Sequence, residues 1–250
     1  MLVVLSALAW ADARPDAPPG EAAAVLADLD ARAASVPALR YGVVRTTEEN
    51  DVKQEERWRY ATDEGRFRID YSGDTQRVVI CDGALLVDYV PVLREAMQYD
   101  LTRMDLPEAQ AVMGRILEHV AVPGFRAGAD PTWAWSWEAE PQQIGDVWGW
   151  EAVGTDGHGG ELRFVVADDG SRLYRSNIRQ HGDFVVSVEA RDHLEIASGV
   201  WFPQRVEMQA PGEGGLIDVE LRVQGIKAEA VPASTFDTKL DDSIELNRVP

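Results

Sequence analysis

The side chains able to do chemistry in this 250-residue chain are few and widely separated. Histidine occurs at His119, His158, His181 and His193, and no two share the spacing by which a helix or hairpin presents a pair of imidazoles to one metal ion. His158 lies in the glycine-rich turn GTDGHGGE, where a solvated side chain is expected. Cys81 is the sole thiol, so it has no partner for an internal disulfide and no cluster for metal ligation. It falls within the strand-like run RVVICDG and is expected to be a buried structural thiol. Asp168-Asp169 and Asp241-Asp242 are acidic doublets in turn-like settings, with too few regularly spaced oxygens for calcium. No Gly-x-Ser-x-Gly elbow, His-Glu-x-x-His, P-loop or Gly-x-Gly-x-x-Gly occurs. The expectation is a protein with no catalytic group, no metal and no cofactor.

What remains to carry function is apolar and aromatic. Trp133, Trp135 and Trp137 alternate along one segment, and Trp148 and Trp150 along the next. Most of them read as core, since a large buried side chain stabilises by roughly 1.5–3 kcal/mol. Some are candidates for the wall of a ligand cavity, or for a sugar-stacking platform. The formal net charge of −19 argues against a nucleic-acid partner, whose phosphates require a basic face, and against simple docking on anionic lipid.

These residues must be positioned by strands. Trp58 and Tyr60 alternate with Arg57 and Arg59, and Phe67, Ile69 and Tyr71 with Arg66, Arg68 and Asp70. Leu85, Val87 and Tyr89 follow with the same period of two, which marks a sheet with one apolar and one wet face. Arg66 and Arg68 are therefore expected on the wet, convex side. Ile217, Val219, Leu221 and Val223 alternate just as cleanly with polar neighbours. Two helices interrupt the pattern. Residues 21–36 carry apolar positions at helical spacing and stop before Pro37. Residues 107–118 carry the stripe Val112, Ile116 and Leu117. The reading is a mainly β (α+β) chain with roughly ten or eleven short antiparallel strands. Residues 1–13 read as a signal peptide ending in the small-x-small triplet at Ala11–Ala13, 14–20 as a Pro-rich flexible leader, and 21–250 as a single domain. That places the protein in the periplasm or outside the cell.

The run EGRFRIDY followed by QRVVICDGALLVDYVP resembles the central signature of the outer-membrane lipoprotein carriers, the LolA-like family. Gly65, Arg66, Phe67, Arg68 and Tyr71 match the first half of that signature, and Asp82, Gly83, Tyr89 and Pro91 the second. Late in the chain GVWFPQRVEM and VPASTFDTKL resemble the family's Gly-x-x-Pro strand and closing Pro-x-x-x-Phe segment. Where the carriers have an Arg-Pro pair whose arginine latches the lid, this chain has Asp63 and Glu64, so it resembles a divergent member. The resemblance implies a curved antiparallel sheet in an unclosed half-barrel, with the N-terminal and central helices covering its concave face. It implies a non-enzymatic carrier or binding protein for lipid, acyl chains or acylated protein, with an envelope or membrane protein as a further partner. Trp58, Tyr60, Phe67, Ile69, Tyr89, Val112, Ile116, Trp133 and Trp135 are then the expected ligand contacts. An envelope sensor or interaction module of the same fold is the alternative, and a secreted hydrolase with an unrecognised site a third reading.

Overall fold

The computed structural model describes residues 14–73, 76–118, 120–145, 147–181, 183–241 and 243–249. The expected signal peptide at 1–13, His119 and Asp242 lie outside the described residues. Helix α1 spans Ala22–Ala34, and strands β1 to β6 follow at Ala38–Glu49, Val52–Asp63, Arg66–Ser72, Arg77–Cys81, Leu85–Val90 and Glu95–Asp100. Helix α2 is Leu106–Glu118. Strands β7 to β11 are Ala134–Trp137, Gln142–Ile144, Val147–Thr155, Gly160–Ala167 and Leu173–Gln180. Strands β12 to β15 are Asp183–Ala197, Val200–Gly212, Gly215–Lys227 and Glu245–Val249, the last preceded by a single 3₁₀ turn at Ala233–Phe236. Among the described residues there are fifteen strands where ten or eleven are expected, because short strands such as β6, β8 and β15 carry no clean apolar alternation to mark them.

All fifteen belong to one sheet, in the order β15-β6-β5-β4-β3-β2-β1-β14-β13-β12-β11-β10-β9-β7, with β8 also paired to β9. It consists of two antiparallel meanders, β1–β6 and β9–β14, joined where β1 pairs with β14 over a register running from Arg40–Lys227 to Glu48–Asp218. The path ends at β15 and β7, which do not pair with each other, so the sheet is unclosed. Among the described strands only β15 is parallel to its neighbour, β6.

One face of this sheet carries the main core. Leu39, Tyr41 and Val43 of β1 stand opposite Thr62, Tyr60 and Trp58 of β2. Phe67 and Ile69 of β3 continue the row into Cys81 and Val79 of β4. Phe202 and Val206 of β13, Leu221 and Val223 of β14, and Val112 of α2 complete the same buried cluster. The sheet curves about this face. Tyr41 and Phe202, on strands two apart, bring their ring centroids to 5.2 Å, whereas such strands are spaced by about 9.6 Å. Burial pushes the Cys81 thiol pKa up, as suits an inert structural thiol.

α1 does not share this cluster. Its Leu26 and Leu29 pack with Ala152, Phe164, Val166 and Leu173 in a second core under the β9–β11 end of the sheet. Of the two helices α2 packs on the main cluster, while α1 lies mainly over the other core and reaches the concave side with Ala33. The leader at 14–20 is tied down at two points: Trp137 Nε1 donates to the Gly20 carbonyl at 2.6 Å, and Arg14 pairs with Glu140.

The outer face is not simply wet. The C-terminal segment recrosses it, and Phe236 packs with Val231 against Ala38. Arg66 does point outward, but its guanidinium lies 5.1 Å above the Phe236 ring. Arg68 chelates Asp70, with Nε and Nη2 at 2.8–3.0 Å from its oxygens, and donates to the Thr235 carbonyl at 3.4 Å. Both arginines therefore keep the expected face, and the C-terminal segment covers them there.

Candidate functional site

The concave face is floored by β1–β3 and roofed by α2 together with the segment that follows it, residues 120–126. α2 faces inward because Val112, Met113, Ile116 and Leu117 recur on one side, and all four join the main cluster. Asp105 caps the helix by accepting the Glu108 amide at 2.9 Å. Residues 120–126 form a strap. Val120 and Val122 are buried, Phe125 stacks tilted on Phe202 at 4.5 Å, and the Tyr41 hydroxyl donates to the Val120 carbonyl at 3.3 Å.

The strap does not fill the space beneath it. On one side lies a cavity of about 480 Å³ walled by Leu39, Tyr41, Tyr60, Leu117 and Phe125, with Ala33 and Val36 at one end. On the other lies a cavity of about 310 Å³ walled by Trp58, Met208, Val219 and Leu221. Ala121 and Pro123 line both, so the strap is the partition.

The polar groups here are sparse. Burial pushes the Tyr41 phenol far above its usual range. Burial also raises Tyr60, opposed by a hydrogen bond with Thr62 and by the charge of Arg126. Arg45 alternates inward with Tyr41 and Val43 and approaches Glu56 at 3.7 Å. Arg45 Nε and Trp58 Nε1 are both buried without an acceptor among the described residues. A buried donor left so costs about 1–3 kcal/mol. No cluster of three His, Cys, Asp or Glu able to hold a metal occurs among the described residues. His193 is half-buried, with Nε2 3.0 Å from the Leu173 carbonyl and its ring edge-on to Tyr174, and loss of solvation pushes its pKa down to about 4.

The expected contact residues separate into three groups. Trp58, Tyr60, Phe67, Ile69, Val112 and Ile116 all join the concave cluster. Trp133 and Trp135 lie elsewhere: their rings stack at 6.3 Å, and Trp135 continues onto Phe164 at 5.6 Å in the α1 core. That contact is close-packed, because a Cβ on Gly154 would come within 2.6 Å of the Trp135 ring. Tyr89 is on the opposite face of the sheet. Leu86 is the inward residue of β5, and Tyr89 stands opposite Val78 and Ala96. Its assignment to the concave wall is corrected: Leu86 and Val87 are both fully buried, so β5 has an apolar residue on each face and alternation cannot choose between them. Phe125, Phe202, Tyr41 and the strap were not anticipated. Tyr41 alternates with Leu39 and Val43, which was a usable signal, but nothing local marks 120–126 as crossing the sheet.

A curved, unclosed antiparallel sheet with a helix and a strap over a partly empty concave face defines a class of lidded half-barrels. No protein-family model matches the sequence, and no curated protein matches it. Solved structures do match in fold. A LolA superfamily protein from Nitrosomonas europaea superposes with a TM-score of 0.53 at 14% identity, covering 88% of this chain and 98% of that one. A DUF1329 family protein from Desulfovibrio piger gives 0.52 at 9% identity over 90% and 97%. A protein domain assigned to outer membrane lipoprotein sorting, from Vibrio parahaemolyticus, gives 0.52 at 11% identity over 88% and 94%. The chain has the LolA-like fold.

Proposed function

We propose that this protein is a non-enzymatic binding or carrier protein of the periplasm that holds an acyl chain, as free lipid or on an acylated protein, in the concave cavities. The observation that carries the reading is the pair of apolar-walled spaces on either side of the strap, separated by Ala121 and Pro123. A methylene moved from water into such a space gains about 0.8 kcal/mol. About ten methylenes then give ~8 kcal/mol, which is micromolar affinity. The unpaired Trp58 and Arg45 donors offer a place for a carbonyl or carboxylate oxygen at the polar end of such a ligand. The fold shared with a domain assigned to lipoprotein sorting supports the same reading. No helix among the described residues is long and apolar enough to cross a membrane.

A fluorescent fatty-acid analogue should bind with a dissociation constant in the micromolar range or below. Ile116→Asp, which sets a charge on the inner side of α2, should weaken binding at least tenfold while circular dichroism stays unchanged. Failure of every acyl probe to bind the folded protein would refute the proposal and leave a module that acts through its surface.

A further inference from the structure

A cavity larger than either of the two beside the strap lies on the other side of the sheet from the concave site. It measures about 950 Å³, with one wall formed by the turn from Pro232 to Thr235. Its floor is made of small residues. Gly42, Ala61 and Gly225 line it, and nothing lies within 4 Å of where a Cβ on Gly225 would stand. Around this open floor stand Arg40, Arg59, Arg68 and Lys227. Pairing across the sheet explains their convergence. Lys227, Arg40, Ala61 and Arg68 are successive partners in one row over β14, β1, β2 and β3. Arg59 stands in the neighbouring row, opposite Gly42 and Asp70.

Two of the four cations are already committed, Arg40 to Glu229 and Arg68 to Asp70. Arg59 and Lys227 have no carboxylate partner among the described residues. Arg59 and Lys227 are both exposed and line the same recess, in a chain of net charge −19. Asp70, the carboxylate opposite Arg59 across the strands, is held by Arg68 at 2.8–3.0 Å. Ser234 and Thr235 add hydroxyl donors at the rim.

We infer that this outer groove is a second ligand site, taking a phosphate monoester, whose dianion matches the uncommitted Arg59 and Lys227 and whose attached polar body fills the remaining volume. A phosphate monoester carries about −1.5 to −2 charges at neutral pH, and the planar guanidinium fork suits its oxygens. The volume is at the upper end of the roughly 300–1,000 Å³ typical of small-molecule sites, which a bare ion would leave mostly empty. A soluble sugar phosphate and a lipid headgroup with a terminal phosphate present this same chemistry.

Three proteins decide the matter: the unaltered chain, Arg59→Gln/Lys227→Gln, and the control Arg57→Gln/Arg222→Gln, whose side chains share the outer face outside the groove. Each is titrated with glucose 6-phosphate, with glucose, and with phosphatidylcholine vesicles with or without phosphatidic acid. Glucose 6-phosphate binding that falls at least about tenfold in the groove variant and stays unchanged in the control supports the site with a soluble source. The same loss seen only with phosphatidic acid vesicles supports it with a lipid source. The site is overturned if neither phosphate probe binds the unaltered chain better than the groove variant. It is equally overturned if glucose binds as tightly as its phosphate, or if the control loses as much affinity as the groove variant. All substituted residues lie outside the concave cavities, so acyl-probe binding should survive in every protein, and this test stands apart from that of the carrier reading.

Discussion

Removing one hydroxyl, by Tyr41→Phe, should loosen the strap that divides the concave cavities. Tyr41 is 8% exposed and its hydroxyl bonds to the strap at the Val120 carbonyl, 3.3 Å away. The ring stays, and with it the contacts to Tyr60 and Phe202 at 5.2 Å. The loss is therefore one hydrogen bond, with a net worth of about 1 kcal/mol. Burial of Val120 and Val122, at roughly 1.5–3 kcal/mol each, keeps the strap seated in the ground state. A change of about 1 kcal/mol in the opening equilibrium is roughly a fivefold change in the open population. Hydrogen exchange at the Ala121 and Phe125 amides should accelerate by that factor. The association rate of a fluorescent fatty-acid analogue should rise similarly if the strap must lift for entry. Unchanged exchange at both amides would show that the hydroxyl does not hold the strap. Faster exchange with an unchanged association rate would show that the ligand enters another way.

Two further outcomes follow from the packing. Gly154→Ala should destabilise by about 1–3 kcal/mol, because its Cβ would meet the Trp135 ring at 2.6 Å and force it off Phe164; a thermal midpoint within 1 °C of the parent's would contradict this. His193 is held neutral by burial, with its pKa near 4 against 6.5 in the unfolded chain. The unfolded chain therefore takes up this proton first as pH falls. Stability contributed by the neutral ring is complete above about pH 6.5 and is lost towards pH 4, by up to ~3 kcal/mol. In urea melts between pH 4.5 and 7, His193→Gln should flatten this slope, and an unaltered slope would mean that another group carries it.

The chain's local pattern was informative wherever one face of a strand is covered and the other is not. β2 and β3 are such strands: the alternation of Trp58 and Tyr60, and of Phe67 and Ile69, identifies their inward residues. The same rule failed for Tyr89 because the outer face of β5 is also covered. Thr238 bonds to Asp82 at 3.0 Å there, and Leu240 and Ile244 lie beside Gln98, from more than a hundred residues further along the chain. Alternation puts Arg68 on the correct face, but it carries no sign that Thr235, 167 residues away, supplies one of its acceptors.

By itself the sequence determined the mainly β class, the two amphipathic helices, the inward faces of the singly covered strands and the scarcity of catalytic side chains. These are properties of residues one to four positions apart, fixed by the pleat and the helical turn. Only the tertiary structure decided that β1 would meet β14, which places Tyr41 against Phe202 and joins the two meanders into one curved sheet. It alone decided that the space under the strap stays partly empty, since a void is the difference between the volume a curved sheet encloses and the volume its side chains fill. And it alone gathered Arg59 and Lys227, 168 positions apart, over one glycine-floored groove, because cross-strand register is set by the pairing of whole strands rather than by any neighbour along the chain.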